Sequence, residues 1–529
     1  MKSSMTYKYI LAIDLGTSGP KVALVSAEGD VVDYEFEETP LFLFPNGGAE
    51  QNPDDWWQAI KKATHRLLAK HSDSVPDIIA IVCTTQWSGT VAVDQNGDPL
   101  MNAVIWMDSR GARYAKAVTD GWINVEGYGV DKLATWLWLS GGIPTHSGKD
   151  SISHILYIKN ELPKIYQRAF KFLEPKDYLN LRLTGKFAAS FDSITLHWVT
   201  DNRDISRISY DDRLLKLAGV ERDKLPDLKR AVDILGTLTP DAAKELGLSE
   251  NVQVVMGLPD VHSAAIGSGA VRDFAAHLYI GTSSWLVCHV PFKKVDLFHN
   301  MSSLPSAIPN RYLLLNEQET AGACLTYLRD NLFYPDDELK TGAKPADVYK
   351  TFDRIVERVP PGSDKLIFTP WLYGERTPVD DHSVRSGFFN QSLKTTRAHL
   401  IRSVFEGVAY NSRWLLGYVE KFIGKRLDGI NMIGGGANSN VWCQIHADVL
   451  NRPIHQMKDP IQANVRGAAF LALVALGHLT FDDVSSRVQI AHTYQPNPAN
   501  RKIYDELFAE FVNLYNANKK IYQRLNRVE

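Results

Sequence analysis

Cysteine is scarce in this sequence. Four residues, Cys83, Cys288, Cys324 and Cys443, are scattered over 529 positions, with no spacing suited to a zinc site, a redox pair or a disulfide framework. They read as small buried hydrophobes in a reducing compartment. Long apolar runs are missing as well: none approaches the roughly 20 residues of a membrane helix, so no membrane association is expected. Charge of one sign is not in excess, and a net charge of -3 argues against a protein that coats nucleic acid or an anionic bilayer. No G-x-x-x-x-G-K-[ST] occurs, which excludes a P-loop, and no low-complexity linker separates one region from another. The opening, MKSSMTYKYILAIDLG, holds only a brief apolar stretch. It reads as a first strand and not as a secretory signal, and a cytoplasmic location is expected.

What is present is an ordinary globular composition, 44% hydrophobic and 22% charged, in a chain long enough for two generous domains. ILAIDLGTSGPKVALV (Ile10 to Val25) places two apolar runs around a turn that carries Asp14, Gly16, Thr17, Ser18 and Lys21. LYIGTSSWLVCHV (Leu278 to Val290) repeats the design with Gly281, Thr282 and Ser283. Glycine serves a tight turn and β-branched or aromatic residues fill the arms, so both are expected to be hairpins. Two of them, at the start and near the middle, suggest two similar halves facing each other. IIAIVCTTQWSG and VQVVMGLPD read as buried strands running into polar loops. DSISHILYIKNELPKIYQRAF and TTRAHLIRSVFEGVAYNSRWLLGYVEKFI have helical spacing, and the tail NPANRKIYDELFAEFVNLYNANKKIYQRL reads as one amphipathic helix. The fold class is therefore α/β, with two domains around a cleft, taken as residues 1–270 and 271–529.

Backbone amides in a glycine turn, helped by Thr and Ser hydroxyls, can surround phosphate oxygens. Lys21 would add a point charge, and Asp14 could hold a magnesium ion through water. A turn and nothing more is the competing reading of either loop alone. INMIGGGANSNVWCQIHADVL (Ile430 to Leu450) invites a dinucleotide reading, but Ser439 stands where that fingerprint needs glycine or alanine, and the segment lies late in the chain. Its glycines would instead let a flat base approach the backbone at Gly435, Gly436 and Ala437. Asn440 could cap the next helix or bond the base, and Asn438 and Ser439 fit a plain turn with an N-cap.

GLPDVHSAAIGSGAV (Gly257 to Val271) puts Asp260 after an apolar strand and before a helix of small residues. A carboxylate there could take a proton from a hydroxyl or merely cap the helix. His262 reads as structural. In TTQWSGTVAVDQNGDPLMNAVIWMDSRG (Thr84 to Gly111), Gln86, Trp87, Trp106, Asp108 and Arg110 crowd two strand ends. Together they can bond several hydroxyls and cover the C–H face of a sugar. They can equally be core tryptophans and an Asp108–Arg110 pair.

Taken together, these segments resemble the FGGY carbohydrate kinases, in particular their xylulokinase-like branch, from about Tyr9 to the tail. DLGTSGPK resembles the family's first phosphate loop, YIGTSS its second, WMDSR its sugar-binding W-x-D-x-R and GLPDVHSAAIGSG the segment of its catalytic aspartate, which falls on Asp260. KNELPKIYQRAFKFLEPKDYLNLRLTG, PWLYGERTPVDDHSVRSGFFN and GGGANSNVWCQIHADVLNRPI are similar to further family segments, the last of them lining the adenosine. The resemblance implies an actin-like, ribonuclease H-type core in each half, ATP with Mg²⁺ in the cleft, and a small sugar or polyol deep between the halves, most naturally a ketopentose such as xylulose. It leaves a homodimer open. One departure bears on the acceptor. Xylulokinases commonly carry Gln-Met-His-Gly where this chain has QWSG, so Trp87 and Ser88 put D-xylulose itself in question. Two other readings compete: a non-catalytic, nucleotide-regulated binding protein of the actin-like class, and a nicotinamide oxidoreductase built on GGGANSN.

Overall fold

The computed structural model describes residues 8–338 and 342–526. Both expected hairpins form. Strand β1 (Tyr9–Gly16) runs antiparallel to β2 (Gly19–Ser26), and β2 to β3 (Val31–Phe36). After helix α1 (Pro53–Lys70), β4 (Ile78–Thr85) lies parallel to β1. Helices α2 (Ser151–Glu161) and α3 (Pro175–Thr184) belong to the layers that cover this half. The sheet is completed by β5 (Ile234–Thr237) and β6 (Gln253–Pro259), giving the order β5-β6-β4-β1-β2-β3. Helix α4 (Asp260–Gly267) leaves its last parallel strand. The segment with helical spacing from Asp150 forms two helices, Ser151–Glu161 and Pro163–Arg168, because Pro163 cannot continue the first.

The second half repeats the plan. Its strands are β7 (Ala276–Ile280), β8 (Ser284–Val290), β9 (Val295–Asp296), β10 (Met301–Pro305) and β11 (Tyr312–Leu315), followed by the long helix α5 (Arg397–Ile423). Then come β12 (Ile430–Ile433), α6 (Asn440–Leu450), β13 (Ile454–Met457), α7 (Ala463–Ala475), β14 (Ile490–Tyr494) and the tail helix α8 (Arg501–Leu525). The order is β9-β10-β11-β8-β7-β12-β13-β14. Read from β14, the first six strands match the first sheet one for one: an antiparallel edge, parallel neighbours, then the hairpin, with β10 and β9 added beyond them. The expected α/β architecture of two similar halves is thus the observed one.

Side-chain size explains how the halves meet. Alternate residues of a strand face opposite sides of its sheet. Leu11, Ile13 and Leu15 face the core that holds Trp56, Trp57 and Ile60 of α1, whereas Ile10, Ala12, Ala23, Ala80 and Val82 face the helices α4 and α7. Small residues on that face let the two equivalent helices pack closely. A Cβ added to Gly267 would lie 1.8 Å from the Ala463 carbonyl oxygen, and one added to Gly467 would lie 1.9 Å from that of Ser263. Backbone meets backbone at this crossing. It is fastened by Ser263 Oγ, which donates to the Asn464 carbonyl at 2.6 Å, and by Arg466 Nε, which donates to that of Gly267 at 2.9 Å. The tail helix packs Tyr504, Leu507 and Phe511 into the second core, so its aromatic stripe is packing.

Candidate active site

Strand register fixes the site. Asp14 on β1 pairs with Thr84 on β4, and Leu258 and Pro259 on β6 pair with Thr84 and Thr85. The carboxyl ends of three parallel strands therefore lie level, and open α/β sheets bind ligands at that edge. Gln86 continues β4, its amide donating to the Leu15 carbonyl at 2.8 Å. Asp260 opens α4 directly beyond β6, with Pro259 as the capping residue. Its Oδ1 accepts from the Val261 amide at 2.7 Å.

Asp260 is one of several buried carboxyls with raised proton affinity, beside Glu174 and Glu375. Burial, then the negative charges of Asp14 and Glu317, push its carboxyl up to about 7. Asp14 is also raised by burial, while Lys21 and the side chain of Asn464 pull it the other way. Lys21 stands opposite Asp14 on β2, and its ammonium crosses between the halves to donate to the Ile461 carbonyl at 2.9 Å. Among the described residues no three His, Cys, Asp or Glu side chains come together as a metal cage. Asp14 alone fits a Mg²⁺ whose other ligands are phosphate oxygens and water.

The polar cluster read in the sequence is assembled, and much of it is spent on itself. Trp106 Nε1 donates to Thr17 Oγ1 at 2.9 Å, and that hydroxyl donates to Gln86 Oε1 at 3.1 Å. Gln86 Nε2 donates to Gln51 Oε1 at 2.7 Å, and Gln51 Nε2 to the Thr17 carbonyl at 2.8 Å. The first glycine turn is therefore joined in one hydrogen-bonded unit with Trp106, Gln86 and Gln51. Asp108 is fully buried and accepts from the Ala49 amide at 2.8 Å and from Arg110 Nε at 2.9 Å. Arg110 also donates to Glu50 at 2.7 Å and to the Tyr157 hydroxyl at 2.9 Å. Asp108 and Arg110 are thus paired with each other, the pairing that sequence reading left open. Trp87 Nε1 donates to the Ser193 carbonyl at 2.9 Å, and its ring meets His262 edge-on at 5.4 Å. His262 is buried and neutral, driven down to about 3, and accepts from the Ala307 amide at 3.3 Å.

The second hairpin differs. Among the described residues the hydroxyls of Thr282 and Ser283 carry no hydrogen bond, which the first hairpin shares only at Ser18, and the second turn is shaped by its backbone. The Gly281 amide donates to the Ser283 carbonyl at 3.0 Å, and Gly322 and Ala321 amides donate to the Gly281 and Thr282 carbonyls at 2.7 and 2.8 Å. Beside it lies the glycine turn of Gly434, Gly435, Gly436 and Ala437. Gly434 has φ +87°, and a Cβ there would sit 2.6 Å from the Ile280 carbonyl oxygen. Ser439, and not Asn440, caps α6, accepting from the Trp442 amide at 3.2 Å. Asn440 Oδ1 accepts from Gln456 Nε2 at 3.0 Å.

Sequence reading missed Gln51 and Glu50, which lie 34 to 60 residues from Thr17, Gln86 and Arg110 and carry no motif. It also missed the groups that the second half turns towards the cleft. Arg376, in the quoted GERTP stretch, donates to Glu317 and, at 3.0 Å, to Glu319. A cavity of about 960 Å³ lined by Trp57, His65, Arg182 and Glu245 includes none of the candidate residues. The four cysteines are buried and free, and among the described residues no helix is long and apolar enough to cross a membrane.

Comparison with known proteins agrees with this geometry. Residues 9–267 match the model of the FGGY family of carbohydrate kinases, N-terminal domain, and residues 276–476 match its C-terminal domain. The chain is 27% identical over 519 residues to a gluconokinase of Bacillus licheniformis, covering 98% of this chain and 97% of that one. It is 28% identical over 522 residues to a xylulose kinase of Staphylococcus epidermidis, covering 98% of each. Among solved structures, a gluconate kinase from Lactobacillus acidophilus superposes with a TM-score of 0.85 at 25% identity, over 98% of this chain and 100% of that one. A xylulose kinase from Brucella ovis superposes with 0.84 at 26% identity, over 97% and 100%. With two such halves, each carrying a glycine–threonine hairpin, and with family models matched over most of its length, the chain belongs to the FGGY family of carbohydrate kinases and is an ATP-dependent sugar kinase.

Proposed function

We propose that this kinase transfers the γ-phosphoryl group of ATP to a hydroxyl of a small sugar or polyol held against Trp87, Trp106 and Gln86, and that Asp260 takes the hydroxyl proton. The observation that carries the reading is the position and proton affinity of Asp260. It opens α4 directly beyond β6, whose end is level with those of β1 and β4, and its carboxyl is raised to about 7, where a general base works best at neutral pH. The amides and free hydroxyls at Ser18, Thr282 and Ser283 would bind phosphate oxygens, and the glycines at 434–436 would take the base of the nucleotide. Bound Mg²⁺, with Asp14 behind a water, would neutralise phosphate charge. Movement of the halves about the α4–α7 crossing would exclude water, the competing acceptor.

A ketopentose such as xylulose is the first acceptor to test. A second reading of the acceptor is favoured by Lys149. Arg110 and Arg376 are each neutralised by two carboxylates. Among the described residues the Lys149 ammonium has no ion pair or hydrogen bond, and lies 6.0 Å from the Tyr373 ring centroid. Ser88 Oγ fixes the residue by donating to its carbonyl at 2.6 Å. Burial and the neighbouring Arg376 hold its proton affinity below the usual lysine range. A half-buried cation without a partner suits an anionic acceptor, a sugar acid such as the gluconate of the gluconokinase relatives. ADP release should be measured across ketopentoses, aldoses, pentitols, glycerol and aldonates. ATP use that responds strongly to one class supports the kinase reading and names its acceptor. ATP use indifferent to all of them would leave the nucleotide-regulated binding protein, and preference for NADH over ATP the oxidoreductase.

A further inference from the structure

Tyr279 stands beside the second glycine turn. It lies on β7 two residues before Gly281, so both face the same side of the hairpin. Its ring stacks on Trp285, its cross-strand partner, with centroids 3.9 Å apart and planes within 9°. Trp285 is anchored in turn, its Nε1 donating to His277 Nε2 at 3.0 Å. The far end of the ring reaches over the second glycine turn. A Cβ built on Gly281 would lie 2.3 Å from the Tyr279 hydroxyl oxygen, and one built on Gly434 would lie 3.0 Å from its Cδ2. The phenol therefore occupies the space that a side chain at Gly281 would fill, between the phosphate turn and the glycine turn. Every polar neighbour leaves it alone: among the described residues the hydroxyl has no hydrogen-bond partner. Tyr279 belongs to the second half and Asp14 and Asp260 to the first, and the negative charges of both carboxylates act on it. Burial and those charges push the phenol up to about 12, so it keeps its proton at any working pH.

We propose that Tyr279 is a second catalytic group of the phosphoryl transfer, a fixed donor to a non-bridging oxygen of the γ-phosphoryl group in flight. The inference rests on the kinase reading above. In the transfer, the bond from the γ-phosphorus to the β–γ bridging oxygen breaks and its electron pair stays with ADP. A bond from phosphorus to the acceptor oxygen forms, and the acceptor proton passes to Asp260. Tyr279 donates a hydrogen bond and transfers nothing. A neutral donor in a pre-set position stabilises charge spread over the equatorial oxygens without reorganisation. Lys21, the cation nearest to this role by sequence, is turned to the Ile461 carbonyl, which leaves the task open.

The test is Tyr279→Phe, which removes one oxygen and keeps the stack on Trp285. Turnover should fall about 10²-fold, the usual effect of one lost donor of this kind, while KM for the acceptor and the calorimetric Kd for ADP stay within about twofold. Affinity for ADP with aluminium fluoride and acceptor, a mimic of the group in flight, should fall at least about tenfold relative to ADP alone. That ratio is read on folded protein and is independent of the active fraction. Unchanged turnover and an unchanged ratio overturn the role of Tyr279 and leave the kinase reading intact. A wild-type protein that binds no nucleotide and releases no ADP with any acceptor overturns both.

Discussion

The ends of β4 and β12 occupy the same place in two copies of one topology, and they carry opposite contents. Beyond β4 the chain reads Gln86-Trp87-Ser88, with side chains that bond Thr17, Ser193 and Lys149. Beyond β12 it reads Gly434-Gly435-Gly436, with no side chains at all. The first end fills its space and can recognise hydroxyls by direction. The second leaves its space open, so that a flat ligand can approach the backbone. The strands after them diverge in the same way: β6 delivers the strongly shifted Asp260 to the cleft, whereas α7, after β13, is used to hold the halves together. A repeated frame thus supplies two strand-end sites, and residue size decides which ligand each takes.

The comparison breaks most sharply at Asp260. Replacing it by Asn keeps shape and removes the base. Turnover should drop by about 10²–10⁴, with ADP and acceptor still bound, as read by calorimetry beside an ADP-release assay. Turnover within about tenfold of wild type would take the proton-abstracting role away from this strand end.

The pH profile sharpens the same point. Asp260 must be ionised to act, so kcat/KM should fall about tenfold per unit below an acid limb near pH 7. Asp14 raises that limb by charge, so Asp14→Asn should move it to lower pH. Stability runs the other way. The folded pKa lies above the unfolded value of 3.8, so the folded state holds the proton more tightly and loses stability as pH rises through that window. Asp260→Asn should therefore melt higher than wild type at pH 8, with the gap closing towards pH 4. A variant that melts lower at pH 8 would contradict the burial of a strained carboxylate.

The open strand end is tested by filling it. A Cβ on Gly436 would meet Ile280 Cγ2 at 2.4 Å and Cβ at 2.7 Å. Gly436→Val should destabilise by about 1–3 kcal/mol through overpacking, and should lower affinity for ADP more than for the acceptor. An equal loss for both ligands would mean that the two strand ends do not serve different ligands.

Much of this was legible in the sequence because it is local. Hairpins announce themselves by glycine between apolar arms, and DLGTSG and IGTSS formed as read. The halves were legible from that repetition. The long helix Arg397–Ile423 kept its period, while Pro163 split the one before it, since a single residue without an amide proton overrides periodicity. Contacts at long range left no trace in the chain. Nothing in the residues around Gln51 announces that it bonds Thr17 and Gln86, nothing in PDDWW suggests that Glu50 close by neutralises Arg110, no motif marks Lys149, and in YIGTSS the glycine, threonine and serine drew the reading while Tyr279 did not. The closeness of α4 and α7 was written as Gly267 and Gly467, but a glycine in a helix has many causes, and only the crossing shows which applies.

The smallest effect concerns how each half begins the helix beyond its strand end. Helix α4 has Pro259 at its cap, which offers no side-chain hydrogen bond, and only Oδ1 of Asp260 accepts from the first turn, at the Val261 amide. Helix α6 is closed: Ser439 accepts from the Trp442 amide at 3.2 Å and donates to Asp353 Oδ1 at 2.6 Å. The first arrangement serves chemistry and the second serves stability. Ser439→Ala should therefore cost about 1 kcal/mol, the usual value of a lost N-cap, seen as a lower denaturation midpoint by fluorescence of Trp442, and Ser439→Asn should restore most of it. Turnover at saturating ligands should stay within about twofold, because the cap meets no reacting atom. If Ser439→Ala instead cut turnover while leaving the midpoint in place, the serine would belong to the nucleotide and not to the helix, and the second half would use side chains at its strand end just as the first half does.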